Sequence, residues 1–79
     1  YPNPFNPSTT IDYTITEPGN IKIVIFDVLG REINTLVNEY KGVGRYKAVF
    51  SAGILSSGIY YYQLITENNF KTRSMILLK

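Results

Sequence analysis

The sequence predicts an all-β fold, an antiparallel β-sandwich of six to seven short strands. Three observations carry that expectation. Apolar and polar side chains alternate with a period of two along most of the chain, as they do on strands with one covered face. Turn-forming Gly, Pro, Asn and Asp interrupt the alternation every roughly 8 to 14 residues, the spacing of short strands in a sandwich. Seven tyrosines and four phenylalanines raise the aromatic share to 14%, a composition suited to pleated, half-buried surfaces.

The chain opens on Tyr1-Pro2-Asn3-Pro4-Phe5-Asn6-Pro7, which holds three of the four prolines. Each proline removes a backbone donor and pushes its predecessor towards an extended conformation. Residues 1–7 are therefore expected to form a Pro-rich, polyproline-like lead-in from a linker, and residues 8–79 the sandwich. From Ser8 onward, Ile11, Tyr13 and Ile15 share one face and Thr10, Asp12, Thr14 and Thr16 the other. Glu17-Pro18-Gly19-Asn20 reads as a type II turn, with Gly19 supplying a positive φ at its third position.

Ile21 to Phe26 is the next strand, apolar on both faces apart from Lys22. Asp27-Val28-Leu29-Gly30 has the signature of a type I turn. Arg31 to Tyr40 is ambiguous, because Ile33, Leu36, Val37 and Tyr40 have helical spacing. The stretch is short and poor in strong helix formers. A strand with a bulge near Thr35-Leu36 places Ile33 and Leu36 on one face and fits the β context better than a helix.

After a turn bracketed by Gly42 and Gly44, Tyr46, Ala48 and Phe50 alternate with Arg45, Lys47 and Val49. Ala52 to Gly58 has the length and composition of a crossover between two sheets. Ile59 to Glu67 follows as a strand with Tyr60, Tyr62 and Leu64 on one side and Ile59, Tyr61 and Ile65 on the other. Asn68-Asn69 is expected at a hairpin tip in a positive-φ conformation. Phe70 to Leu78 closes the fold, ending in Met75-Ile76-Leu77-Leu78-Lys79.

Composition narrows the possible functions. A chain of 79 residues makes one small domain. With neither Cys nor His it can form no disulfide, no thiolate or imidazole metal site, and no Ser-His or Cys-His nucleophile pair. Apolar residues account for 44% and charged ones for 18%, so the chain is not a disordered tail. A net charge of +2 does not make a nucleic-acid binder, and no apolar run approaches the roughly 18 to 20 residues that cross a bilayer. Neither nucleic acid, membrane insertion nor a cofactor is expected. The chain begins with Tyr1 rather than Met, which points to a piece of a longer polypeptide.

The side chains that remain make a poor enzymatic kit. Asp12 lies on a solvated strand face, and Glu17, Asp27 and Glu67 lie at turns, with Asp27 bonding nearby amides. A paired-carboxylate hydrolase needs two acids converging in a cleft, for which so small a sandwich has little room. Tyr60-Tyr61-Tyr62 invites a reading as a stacking platform, but the period of two sends Tyr61 to the opposite face, and core packing fits better. Lys41, Arg45 and Lys47, like Lys71 and Arg73, read as strand charges that discourage edge-to-edge pairing. No catalytic residues are expected.

Four segments together resemble a known family. They are Tyr1 to Ile11, Ile25-Phe26-Asp27-Val28-Leu29-Gly30-Arg31-Glu32-Ile33, Leu55-Ser56-Ser57-Gly58-Ile59-Tyr60-Tyr61-Tyr62-Gln63-Leu64, and Lys71 to Lys79. In this order they resemble the type A C-terminal sorting domain of the type IX secretion system, found on secreted proteins of the Bacteroidetes and related phyla. That class is similar to the Ig-like domain of the flagellar hook-capping protein, so the sandwich is expected to be Ig-like. The resemblance spans the whole chain. Its opening motif falls on Pro2, Asn3 and Pro4, its glycine-x-tyrosine motif on Gly58 and Tyr60, and its basic-then-apolar ending on Lys71, Arg73, Met75, Ile76, Leu77, Leu78 and Lys79. Phe50 stands where many members carry Trp.

The resemblance implies an address rather than a catalyst. Such a domain follows an N-terminal cargo in the same chain, is recognised in the periplasm by translocon and shuttle proteins, and directs the cargo to the outer-membrane surface or beyond. In many members a sortase-like surface protease then removes the domain and the cargo is anchored to lipopolysaccharide. This chain is accordingly expected to be the last domain of a secreted protein. A terminal strand with apolar residues on both faces can dock by strand addition, and Ser74 to Lys79 are expected to belong to the recognised surface. The alternative is an Ig-like spacer or carbohydrate-binding accessory module of a secreted enzyme, which an exposed Tyr60/Tyr62 pair in a shallow groove would favour.

Overall fold

A computed structural model describes residues 8–51, 53 and 55–78. Within them the chain forms six strands and no helix: β1 (Ser8–Ile15), β2 (Gly19–Phe26), β3 (Glu32–Lys41), β4 (Gly44–Ser51), β5 (Gly58–Ile65) and β6 (Phe70–Leu77). Strands β1 and β4 pair as a two-stranded sheet; β3, β2, β5 and β6, in that spatial order, form a four-stranded one. All pairings are antiparallel. This is the β-sandwich expected of an Ig-like fold. The lead-in expected over residues 1–7 lies outside the described residues.

The period-two pattern decides what is buried. Ile11, Tyr13 and Ile15 of β1 and Ala48 and Phe50 of β4 pack against Ile21, Ile23, Ile25, Tyr60 and Leu77 of the larger sheet. The opposite faces of β1 and β4 carry Asp12, Thr14, Arg45 and Lys47 to solvent. Strand β2 is covered on both sides, since Val24 is as deeply buried as its inward neighbours. As expected, the connection after β4 carries the chain from the small sheet to the large one.

Residues 32–41 are a bulged strand, not a helix. Ile23 pairs with Val37 and Val24 with Thr35, so Leu36 is the extra residue, at the expected place. A second bulge skips Ile33, between the pairs Ile25–Asn34 and Phe26–Glu32. Each bulge shifts the alternation by one, which converts period two into the helix-like spacing of Ile33 and Leu36. Both side chains pack against the core.

The β2–β3 turn forms as its sequence predicts. The Gly30 amide donates to the Asp27 carbonyl at 3.0 Å, and Gly30 sits at φ +82°, where a Cβ would be strained. One oxygen of the Asp27 carboxylate accepts from the amides of Leu29 and Arg31, each at 2.9 Å, and the other from Arg31 Nε at 2.7 Å. The bond from the Arg31 amide, with those from its side chain and from Leu29, holds the Asp27 pKa below its ordinary 3.8. A depressed carboxylate pKa adds stability that is complete above the unfolded value and is lost as pH falls through the folded one. Asp27→Asn should therefore destabilise the domain at neutral pH and cost progressively less below about pH 4. Urea unfolding of both proteins across pH 2 to 7 checks this, and a constant difference would refute it.

Two turns depart from expectation. Gly19 has no positive φ and is not a turn residue; it opens β2 and pairs with Lys41. Because β1 and β2 lie in different sheets, residues 16–18 make a corner between layers and no type II hairpin geometry is needed. The space around the glycine is tight: a Cβ would stand 3.3 Å from Cδ and Oε2 of the exposed Glu67, whose carboxylate accepts from the Asn20 amide at 3.3 Å. Nor does Asn68-Asn69 adopt positive φ. The tip is closed instead by the Thr66 amide donating to the Asn69 carbonyl at 2.8 Å, while the Asn69 side-chain oxygen accepts from the Phe70 amide at 2.8 Å.

Candidate recognition surface

The residues singled out by sequence divide among three places. Pro2, Asn3, Pro4 and Lys79 lie outside the described residues. Gly58, Tyr60, Met75 and Leu77 gather where β5 meets β6 and belong to the core: Gly58 pairs with Leu77 and Tyr60 with Met75. Tyr60 is buried, and its hydroxyl donates to the Ser56 carbonyl at 2.8 Å. The glycine-x-tyrosine motif thus holds the crossover against the sheet. It leaves no exposed Tyr60/Tyr62 pair, the feature a carbohydrate-binding reading needs.

Ile76 and Leu78 make up the second place. Strand β6 is the outer strand of its sheet, with its second edge unpaired among the described residues. Ile76 lies opposite Ile59 on the face turned away from the core, and the two are 66% and 47% exposed. Leu78, just past the strand, is 75% exposed. Next to Ile59 on the same face, Tyr61 pairs with Phe26 of β2. Val28 and Leu29, both exposed in the β2–β3 turn, line a depression with Ile59. The sheet corner therefore offers an apolar stripe beside an open strand edge, an arrangement that can add a strand and seat its alternate side chains.

Sequence reading missed Ile59, Tyr61, Val28 and Leu29 as parts of that surface. The available signal was the apolar outer side of β5 together with two large apolar residues at turn positions, where solvation is usual.

Lys71 and Arg73 occupy the third place, on the rim strand β6 as expected. Pairing Leu64 with Lys71 and Tyr62 with Arg73 sets both cations on the inward face of β6, in line with Met75 and Leu77. The two-stranded sheet leaves this part of the large sheet open, so the cations of this edge strand also line a groove.

Several other charges have local partners. Asp12 accepts from Lys47 at 2.7 Å, an exposed pair of little energetic weight. Glu39 lies 3.2 Å from Lys41 Nζ, and this bond raises the Lys41 pKa. Lys41 in turn sits 4.7 Å from the centre of the Tyr46 ring, which stacks on Tyr13 at 5.5 Å. Burial pushes the Tyr13 phenol up, so it stays protonated at neutral pH. Among the described residues no cluster of three or more His, Cys, Asp or Glu side chains is placed to hold a metal. Nor is any helix among the described residues long and apolar enough to cross a membrane.

A family model described as "Secretion system C-terminal sorting domain" matches residues 1–78. No curated protein and no solved structure matches the chain.

Proposed function

The chain belongs to the secretion system C-terminal sorting domain family, and from that premise we propose that it is read by the type IX machinery through the open β6 corner. Membership makes it a sorting signal for type IX secretion, in a family that is not an enzyme family, for cargo that is carried across the outer membrane. In the periplasm, a translocon or shuttle protein pairs with the free edge of β6 and covers Ile76, Leu78 and Ile59. Lys79 directly follows that contact in sequence, and Pro2, Asn3 and Pro4 form a separate part of the recognised motif at the other end of the chain. After export, a sortase-like surface protease removes the domain, and the cargo is anchored at the cell surface.

The observation that carries this reading is Ile76. Edge strands are commonly protected by charge. Strand β6 carries its charges, Lys71 and Arg73, in its first half, whereas it ends in exposed apolar side chains on the solvent side and partly or fully buried ones on the core side. A cargo-independent signal needs such a surface, fixed by its own fold. The direct experiment fuses residues 1–79 behind a periplasmic reporter in a cell with a functional type IX system. The fusion should reach the cell surface or medium, while the reporter alone and the fusion in a translocon-deficient strain should stay in the periplasm. Equal distribution of all three would overturn the reading.

A further inference from the structure

The groove lined by Lys71 and Arg73 is not used in the contact just described. It is an open groove of about 1150 Å³ at the edge of the sandwich, running from the inward face of β5–β6 round the free side of β1. Tyr13 of β1 borders it on one side, and Tyr62 and Leu64 of β5 with Lys71 and Arg73 of β6 on the other. A sandwich has this opening where one layer is a strand short: β1 hydrogen-bonds only to β4 among the described residues, so its second edge faces the gap. The floor is mixed in a regular way. Tyr62 and Leu64 supply apolar surface, and the cross-strand neighbours Arg73 and Lys71 supply one cation beside each.

Charge separates the gap from an ordinary unfilled core. Besides Lys71 and Arg73 its lining includes Arg45 and Lys47, and the single acid there, Asp12, is already paired with Lys47 at 2.7 Å. A wholly apolar strand laid in the gap would leave Lys71 and Arg73 without counter-charges, whereas Arg45 and Lys47 stand on the solvent-facing side of β4. A strand with carboxylates at alternate positions would meet Lys71 and Arg73 on one face while its backbone paired with β1. We infer that the groove between β1 and β5–β6 binds an extended acidic segment of a partner protein, added as a third strand to the β1–β4 sheet. The inference rests on the sorting reading for the partner's being a protein of the export route, and it adds a second contact on the opposite side of β6.

The test uses the 79-residue chain and an end-blocked eight-residue peptide of alternating Glu and Val, with an alternating Lys–Val peptide and sodium sulfate as controls. Amide shifts on titration should map to β1, Tyr62 and Leu64, and binding should weaken as salt rises. The double variant Lys71→Glu/Arg73→Glu should lose roughly tenfold in affinity, as two partly screened contacts imply. Both side chains are exposed, so a matching thermal midpoint will show that the variant is folded. Each of four results would overturn the inference: no shifts, equal binding of the Lys–Val peptide, shifts confined to the β3 or β6 edge, or complete competition by sulfate. Self-association without peptide would make a second copy the occupant and overturn it equally. Because binding is measured on the isolated chain, its failure leaves the sorting reading intact, whereas failure of the fused reporter to leave the cell removes that reading whatever the peptide does.

Discussion

Phe50→Ala is expected to unfold the domain, or nearly so, at ordinary temperature. Phe50 is 1% exposed and is among the largest fully buried side chains, at the centre of the face that β4 turns to the larger sheet. Truncating such a ring costs roughly 3 to 5 kcal/mol. At about 0.05 to 0.15 kcal/mol per residue, a chain of this length has a total stability of only some 4 to 12 kcal/mol. Without disulfide or metal to retain structure, the loss falls on the whole cooperative unit. Urea titration followed by circular dichroism measures it, and a cost below about 1 kcal/mol would show that the core closes around the gap. Ile59→Ala is the control: its side chain is 47% exposed on the outer face, and the expected change is within about 1 kcal/mol.

The second large effect separates folding from recognition. Removing Ser74 to Lys79 would stop export under the proposed reading, but it would also delete Met75 and Leu77 from the core. Loss of export would then carry two explanations. Ile76→Asp with Leu78→Asp avoids this, because both side chains are exposed and neither contributes to the buried cluster. The variant should keep its thermal midpoint within a few degrees, since surface changes of this kind cost about 0.5 kcal/mol each. If the two residues anchor a docked partner, their loss weakens docking by roughly 2 kcal/mol, or about thirtyfold in affinity. The reporter should accumulate in the periplasm accordingly. A well-folded variant exported at the parental level would place the recognised surface elsewhere.

Much of the fold was legible because alternation is a local signal. Ile11, Tyr13 and Ile15, or Ala48 and Phe50, declare their buried face by spacing alone, and the ambiguous stretch yielded once a bulge was allowed at Leu36. The second bulge at Ile33 was not legible, since one extra residue already accounted for the spacing. Gly19 was misread for a different reason. A glycine after proline looks like a turn, and only the pairing of Gly19 with Lys41, more than twenty residues away, shows that it opens a strand. The candidate site fared likewise. Alternation assigns Lys71 and Arg73 to the same face as Met75 and Leu77, but not that the opposing sheet stops short of them. How many strands lie opposite is a property of pairing across the whole chain, and no local pattern records it.

The small sheet also sets a clock. Ser8 pairs with Ser51 and Ile15 with Gly44, so β1 has no hydrogen-bonding neighbour until most of the chain is present. Strands β2 and β3, by contrast, are joined by one tight turn and can close early. Topologies dominated by such distant pairings fold in milliseconds to seconds, slowly beside the microseconds in which a hairpin closes. Throughout that interval Ile11, Tyr13 and Ile15 form an apolar ribbon with no sheet to join. Any factor that binds the unfolded chain thus has its longest opportunity at β1, and speeding the β1–β4 closure would shorten it without altering a single surface contact.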